Sequence, residues 1–251
     1  MIAVFAAMES EVAACPAWMR GGEPKAVGRS TVIEGDGALV CQTGIGREPA
    51  RESAEAVLSV FSPSVVLSVG LAGGLSPGVE VGEIVLCTHV DHESHRHSDV
   101  EQTIYPDPQL FDLAVEAANG LDLPVRTGTS ITVDEAAWGP AEKAAHHAWR
   151  AHDIVEMESF WIAEAAVKRG LPFLAVRCIS DSSNDTLPNL GVMREDGTLD
   201  REKFMALLEE RPEIAEQLSA IARNSRLTLQ NLSAFLEPFA AELARRYGAG
   251  P

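Results

Sequence analysis

Acidic side chains gather at the two ends of one predicted helix–strand unit. Glu156 and Glu158 precede the unit, and Arg177 and Asp181 lie near its end. Apolar residues at helical spacing, followed by a nearly continuous apolar run, predict a helix and then a fully buried strand between residues 160 and 180. Because Arg177 interrupts the buried run, we expect it to have a partner. Carboxyl groups that share a small pocket have pKa values pushed apart, which lets one act as a general acid and another as a base.

The elements that must hold these acids alternate between strands and helices along the chain. Strands are predicted over residues 1–7, 64–70, 83–90, 126–133 and 171–180, and a hairpin over residues 30–43. This alternation predicts an α/β fold with a central mixed sheet flanked by helices on both faces. We expect a single domain over residues 1–251, with an extended helical C-terminal region from about residue 200. Ligands of such sheets bind at the carboxyl ends of strands, where Glu11, Gly73, Glu158 and Asp181 are placed.

The charge and composition exclude several classes of partner. The 251 residues carry a net charge of −17 and are 46% hydrophobic. Because an acidic surface repels phosphates, neither nucleic acid nor an anionic membrane is an expected partner. The apolar N-terminal stretch lacks a basic region and is followed at once by Glu9 and Glu11, which argues against a signal peptide or a membrane span. The four cysteines are far apart and lie in or beside apolar segments, which is typical of buried thiols in a cytoplasmic protein.

Two glycine-rich turns and a group of histidines are further candidates for binding. The turns at Thr43–Gly46 and Leu71–Leu75 follow strands, but neither has the GxxxxGK[ST] or GxGxxG spacing of nucleotide phosphate sites. Four histidines run from the end of a predicted strand into a polar stretch, His89–His97. Since they match no zinc motif, we expect a solvated loop here and no bound metal.

Several short motifs occur in a fixed order over roughly residues 1 to 185. They are Ala7–Val12, Thr43–Gly46, Ala72–Leu75 before Val81–Val85, Val155–Glu158 and Arg177–Asp181. In this order the chain resembles the methylthioadenosine/S-adenosylhomocysteine nucleosidases of the nucleoside phosphorylase superfamily. The resemblance implies a single α/β domain that binds a small-molecule purine nucleoside, uses no metal or cofactor and forms a homodimer.

The resemblance also implies which residues carry out the reaction. Glu11 would position and deprotonate the attacking water, and Asp181, beside Ser180, would protonate N7 of the leaving purine. Arg177 would orient the catalytic carboxylates. Breaking an N-glycosidic bond builds positive charge on the ribose and negative charge on the base, so carboxylates at one end and a proton donor at the other suit this reaction. Taken singly, Asp181 has an alternative role as the cap of a turn, and Arg177 as a member of a structural ion pair.

A second set of residues is assigned to substrate binding by the same resemblance. Glu158 would bind the ribose hydroxyls and Met157 would pack against the sugar, although a glutamate at a helix start and a methionine in the core are common structural features. The remaining members of the set are Met8, Ala72, Gly73, Glu156 and Trp138. Trp138 lies near the position where these enzymes have a purine-stacking phenylalanine, and it either stacks in its place or serves as a hydrophobic anchor.

The sequence favours hydrolysis over phosphorolysis. Phosphorylases of this superfamily carry a Gly-Asp-Pro-x-Arg-like phosphate site after the first strand, whereas residues 6–12 hold two glutamates and no arginine. Because a carboxylate there repels a phosphate dianion, we expect water as the nucleophile. The resemblance implies a 5′-substituted adenine nucleoside as the substrate. The alternatives are an adenosylhopane or futalosine nucleosidase, a phosphate-dependent phosphorylase and a non-catalytic nucleoside-binding protein. Leu187, Leu190, Val192 and Met193 are candidates for an apolar 5′ pocket.

Overall fold

A mixed β-sheet forms the centre of the molecule. The computed structural model describes residues 1–94 and 102–247. The strands are β1 (Ile2–Ala6), β2 (Lys25–Val27), β3 (Ser30–Glu34), β4 (Ala38–Gln42), β5 (Val65–Gly74), β6 (Ile84–His92), β7 (Val125–Thr132), β8 (Ile154–Glu156) and β9 (Phe173–Asp181). Their order is β2-β3-β4-β1-β5-β8-β7-β6-β9, and β9 also pairs with β5, so the last five strands of this order close on themselves.

Parallel and antiparallel pairs both occur in the sheet. Strand β1 runs parallel to β4 and β5, and β5 runs parallel to β9. The β3–β4 hairpin, the β5–β8 pair and the β6–β9 pair are antiparallel. The parallel pairs bring the carboxyl ends of β1, β5 and β9 to the same edge of the sheet, as the predicted placement of the acids requires.

Helices cover both faces of this sheet. They are α1 (Glu9–Ala14), α2 (Arg47–Val60), α3 (Pro108–Asn119), α4 (Pro140–Arg150), α5 (Ser159–Val167), α6 (Arg201–Glu210) and α7 (Ala215–Tyr247). On one face, Ile2 and Val4 of β1 pack in a cluster with Phe235 of α7, and on the other face Phe5 packs in a cluster with Val57 of α2. This two-sided burial confirms the predicted fold class and explains why the strands are nearly continuous apolar runs.

A local sequence signal accounts for the start of α3. The Asp107 side chain caps the helix by accepting a hydrogen bond from the Leu110 amide at 3.0 Å, and Pro108 occupies the first helical position.

The four cysteines are buried and free, and burial raises the pKa of the Cys41 thiol to about 12. Among the helices of the described residues, none combines the length and the apolar character that a membrane crossing requires.

The expectation of a solvated histidine loop is wrong for its first part. Strand β6 continues to His92, whose side chain is fully buried and packs edge-on against Trp161, with 4.5 Å between ring centroids. His92 Nε2 also lies 3.3 Å from Asp134 Oδ1. These contacts come from segments distant in sequence, so the polar composition of the stretch did not reveal them. His95 and His97 lie outside the described residues.

Candidate active site

A cavity of about 280 Å³ lies at the carboxyl ends of β1, β5 and β9. It brings together the predicted site residues other than Arg177 and Trp138. Its lining consists of Ala7, Met8, Glu11, Ile45, Leu71, Ala72, Gly73, Val133, Ala136, Ala137, Val155, Glu156, Met157, Glu158, Ser180, Asp181 and Leu187. Among these described lining residues, four are carboxylic acids and none is a lysine or arginine.

Glu11 enters the cavity from the first turns of α1 and is almost fully buried. Its Oε2 accepts hydrogen bonds from the amides of Ala7 and Met8, both at 2.9 Å, and its Oε1 accepts one from the Leu71 amide at 2.8 Å. Burial raises the pKa of Glu11, although Arg177 and the three amides oppose the rise. The result is a fixed carboxyl group with increased affinity for a proton, as a general base requires.

Arg177 lies beneath the cavity and pairs with Glu156. The guanidinium is almost fully buried, and its Nη2 lies 2.7 Å from Glu156 Oε2. The same nitrogen donates to the hydroxyls of Ser68 at 2.8 Å and Ser159 at 2.7 Å. Glu156 is further held by Thr132, which donates to its other oxygen. The expectation that Arg177 has a buried partner is confirmed, and the charge of Glu156 is neutralised within the site.

Glu158 is positioned by a glycine turn from another part of the chain. Its Oε1 accepts a hydrogen bond at 2.8 Å from the amide of Gly46, a residue with φ of 88°, which favours glycine. Burial, together with the charges of Glu156 and Glu11, raises the pKa of Glu158 to about 8, although Arg177 acts in the opposite direction. The raised pKa favours the protonated form, in which the carboxyl group can both donate to and accept from a hydroxyl group.

A bulge in β9 brings Asp181 to the cavity. Ala72 of β5 pairs with Ile179, but the next residue, Gly73, pairs with Asp181, so Ser180 is an extra residue in β9. Such bulges redirect side chains next to functional sites. The Ser180 hydroxyl donates to Asp181 Oδ1 at 2.6 Å.

Lys143 of α4 is a member of the site that the sequence did not reveal. It is fully buried, and its ammonium group donates to Asp181 Oδ2. A lysine next to Glu142 in a polar helix is normally expected at the surface. The contact joins residues 38 positions apart, so no local pattern could have indicated it.

Trp138 does not line the cavity, which corrects its predicted position. Its amide donates at 2.5 Å to Glu142 at the start of α4, and its carbonyl accepts from the Leu187 amide at 2.7 Å. These bonds fix the main chain of the segment so that Ala136 and Ala137 are the residues lining the cavity.

Only part of the candidate apolar 5′ pocket is formed as expected. Of the four candidates, Leu187 lines the cavity, whereas Leu190, Val192 and Met193 do not. Val192 is buried elsewhere and Met193 is 43% exposed. The segment that carries these residues runs past the cavity. It is held in this position because the Ile45 amide donates a hydrogen bond to the Glu195 carbonyl at 2.8 Å.

A second polar cluster, outside the cavity lining, contains His89, Asp91 and His152. Their potential metal-ligand atoms lie within 4.8 Å of one another. His152 Nε2 is 2.9 Å from Asp91 Oδ2, and Arg150 Nη1 is 3.3 Å from the same oxygen. Although burial raises the pKa of Asp91, hydrogen bonds from His152 and Thr103 lower it to about 2. Because the Arg150 guanidinium already compensates the carboxylate and would repel a cation, we assign no metal to this cluster.

Comparisons with known proteins agree with this geometry. Residues 1–223 match the family model described as the phosphorylase superfamily. The 5′-methylthioadenosine/S-adenosylhomocysteine nucleosidase of Anoxybacillus flavithermus is 30% identical over 72% of this chain and 84% of its own length, and that of Marinomonas sp. is 29% identical over 75% and 88%.

Solved structures show the same fold. The 5′-methylthioadenosine/S-adenosylhomocysteine nucleosidase of Neisseria meningitidis, in complex with methylthio-immucillin-A, has a TM-score of 0.76 at 21% identity and covers 96% of this chain and 99% of its own. The futalosine hydrolase of Helicobacter pylori has a TM-score of 0.73 at 19% identity, over 96% and 97%. The family match and the sequence relatives together show that this chain belongs to the phosphorylase superfamily, as a methylthioadenosine/S-adenosylhomocysteine nucleosidase-like member.

Proposed function

We propose that this protein hydrolyses the N-glycosidic bond of a 5′-substituted adenine nucleoside and releases the free base. One observation carries the proposal: the carboxyl groups of Glu11 and Asp181 line the same cavity. Glu11 lies against Gly70 and Asp181 against Gly73, and these two positions of β5 are about 10 Å apart along the strand. The two groups can therefore meet different parts of one nucleoside, with water and the anomeric carbon at Glu11 and the purine ring at Asp181. The sequence relatives named above support the same reaction class.

The reaction needs a base at the sugar and an acid at the purine. As the bond between C1′ and N9 breaks, its electron pair moves into the purine, and N7 takes the proton of the Asp181 carboxyl group. The water oxygen forms a bond to C1′ and gives a proton to Glu11. Exchange with solvent then returns both groups to their starting states. Glu158 would bind the ribose hydroxyls, and Met157 would pack against the sugar and keep water from its other face.

The cavity favours water over phosphate as the nucleophile. Glu11, Glu156, Glu158 and Asp181 line it, and its described lining contains no lysine or arginine. A phosphate dianion placed beside Glu11 would be repelled, and no cation of the lining would compensate its charge. A neutral water molecule carries no such penalty.

The apolar part of the cavity lining supports an apolar 5′ substituent. Its members include Ile45, Val133, Ala136, Ala137 and Leu187. Such a wall accepts a thioether or hydrocarbon group and leaves a charged group without partners. The structure of the substituent is what the substrate assay must identify.

A panel of nucleosides tests the proposal directly. The purified protein is incubated with methylthioadenosine, adenosylhomocysteine, adenosylhopane, futalosine and inosine, with and without phosphate, and the free bases are separated by chromatography. We expect adenine and a free sugar, independent of phosphate. Strictly phosphate-dependent formation of a sugar 1-phosphate would establish a phosphorylase instead, and hypoxanthine from futalosine would establish a futalosine hydrolase.

Variants test the two assigned roles. Glu11→Gln and Asp181→Asn should bind a substrate analogue but lose turnover by about 10²-fold or more. Glu9→Gln, at an exposed residue of the same helix, is the matched control and should behave as the wild type. Unchanged turnover in both site variants would refute the assigned roles, and analogue binding without turnover in the wild type would favour a binding protein.

The assembly and the location of the enzyme are also inferred. We infer a homodimer and a cytoplasmic location from the resemblance to the nucleosidases. Size-exclusion chromatography with light scattering measures the assembly directly, and a monomer with full activity would exclude a requirement for the dimer.

A further inference from the structure

The ammonium group of Lys143 is buried with all of its donors in use. Nζ donates to Asp181 Oδ2, to the carbonyl oxygen of Ser182 at 2.6 Å and to that of Asp185 at 3.3 Å. Three N–H donors thus meet three acceptors, which is the full donor capacity of an ammonium group. A neutral amine would leave one of these acceptors unpaired.

Asp181 is held from several sides by these contacts. Lys143 binds Oδ2, and the Ser180 hydroxyl donates to Oδ1. The main chain of β5 lies against the same group, since a Cβ added at Gly73 would lie 3.0 Å from Oδ2. A carboxyl group fixed in this way keeps its orientation toward the cavity while its proton leaves, which is the geometric condition for efficient proton transfer.

We propose that Lys143 is a positioning residue for Asp181, whose carboxyl group it orients and whose carboxylate it stabilises after the proton has passed to the purine. The inference rests on the proposed function of the cavity. In the step concerned, the O–H bond of Asp181 breaks and the N7–H bond forms, while Lys143 keeps its protons and its charge. A positive charge in contact with a developing carboxylate lowers the energy of the transition state more than that of the neutral acid.

Several acids lie around this pair, and His147 lies one turn further along α4. Glu11, Glu156 and Glu158 line the same cavity. Asp185 lies on the turn after β9, and its carboxylate accepts hydrogen bonds from the amide and hydroxyl of Ser182. Each acid, when ionised, repels a carboxylate at position 181, whereas the Lys143 ammonium group in contact with Asp181 attracts it.

Carboxyl ¹³C NMR of aspartate-labelled protein tests this inference without any substrate. The Asp181 signal is assigned by its loss in Asp181→Asn. Lys143→Met removes the charge at similar length, and Lys168→Met, at an exposed ion pair with Glu164, is the matched control. We expect the chemical shift of the Asp181 carboxyl carbon at a fixed pH to change in Lys143→Met, because the carboxyl group loses a charged hydrogen-bond donor, and to stay unchanged in the control. An equal chemical shift in all three proteins would overturn the proposal.

Kinetics of base release then test the consequence for the reaction. In Lys143→Met, kcat should fall about 10- to 100-fold with a smaller change in KM, and the alkaline limb of the pH profile should move to higher pH. Lys143→Arg, which keeps the charge, should restore the position of that limb. A lower rate with an unmoved limb would indicate a purely structural role and overturn the proposal.

The two inferences fail in different ways. If the wild type releases no base from any nucleoside of the panel, the proposed function fails, and the NMR comparison still decides whether Lys143 acts on the Asp181 carboxyl group. Lys143→Gln, which keeps a donor without the charge, replaces Lys143→Met in both measurements if the latter does not fold.

Discussion

Substitution of Gly70 should displace the carboxyl group of Glu11 without removing any side chain of the site. Gly70→Ala adds one methyl group, and the backbone of Gly70 does not have the positive φ that would disfavour alanine. The added Cβ would lie 2.5 Å from Glu11 Oε1 and would also collide with the Arg177 guanidinium. Ordinary van der Waals contact begins at 3.4 Å, so the carboxylate must move by about 0.9 Å.

Glu11 cannot make that movement freely. Its oxygens accept three main-chain hydrogen bonds, from Ala7, Met8 and Leu71, at 2.8 to 2.9 Å. A shift of about 1 Å in a reacting group costs on the order of 10² in rate, and an acceptor left unpaired costs about 1–3 kcal/mol in stability. We therefore expect Gly70→Ala to lower kcat about 100-fold while every carboxyl group of the site remains present.

The assay compares Gly70→Ala with Gly139→Ala. A Cβ added at Gly139 meets no atom within 4 Å, so this variant controls for the loss of a glycine. Both proteins are examined for base release, for binding of a substrate analogue and for thermal unfolding. If Gly70→Ala is folded and its kcat remains within about twofold of that of Gly139→Ala, the fixed position of Glu11 is not what catalysis requires.

Three further outcomes follow from the same contacts. Arg177→Met leaves Glu156 buried without its cation and should lower the free energy of unfolding, measured in urea, by about 3–5 kcal/mol. The control is Lys25→Met, which breaks an exposed pair and should cost less than about 1 kcal/mol. An equally small loss in Arg177→Met would contradict the prediction. Burial raises the pKa of Glu158 to about 8, so the folded protein holds a proton that the unfolded chain has released. The contribution of Glu158 to stability should thus be complete below about pH 4.5 and be lost as the pH rises toward 8; a Glu158→Gln variant whose thermal midpoint follows the wild-type pH dependence would refute it. Leu187→Ala should raise KM about tenfold for nucleosides with an apolar 5′ group and leave adenosine unaffected; equal changes for both would place the 5′ group elsewhere.

The parts of the fold that were predictable are those with local signals. The apolar run that surrounds Arg177 predicted both a buried strand and a buried partner, because an unpaired guanidinium cannot remain in a core. The start of α3 depends on a local signal of the same kind, because the Asp107 side chain caps the helix and Pro108 occupies its first position.

The remaining features depend on contacts that no local pattern contains. Burial of His92 follows from Trp161 and Asp134, which come from other elements. The extra residue in β9 at Ser180 is visible only in the pairing with β5. Trp138 was a candidate for stacking on the purine because it lies near the position of the family's stacking phenylalanine, with a hydrophobic anchor as the alternative. Main-chain bonds to Glu142 and Leu187 hold its segment instead.

The candidate site also combines local motifs with contacts from distant segments. The motifs supply the acids, but each acid is held by a group from a distant part of the chain. Glu11 accepts from the Leu71 amide 60 residues away, Glu158 from the Gly46 amide 112 residues away, and Asp181 from Lys143 38 residues away. The charge state of a buried carboxyl group is set by its burial and its hydrogen-bond donors. The motifs therefore determine which groups can exchange protons, and the topology determines whether each of them donates or accepts a proton.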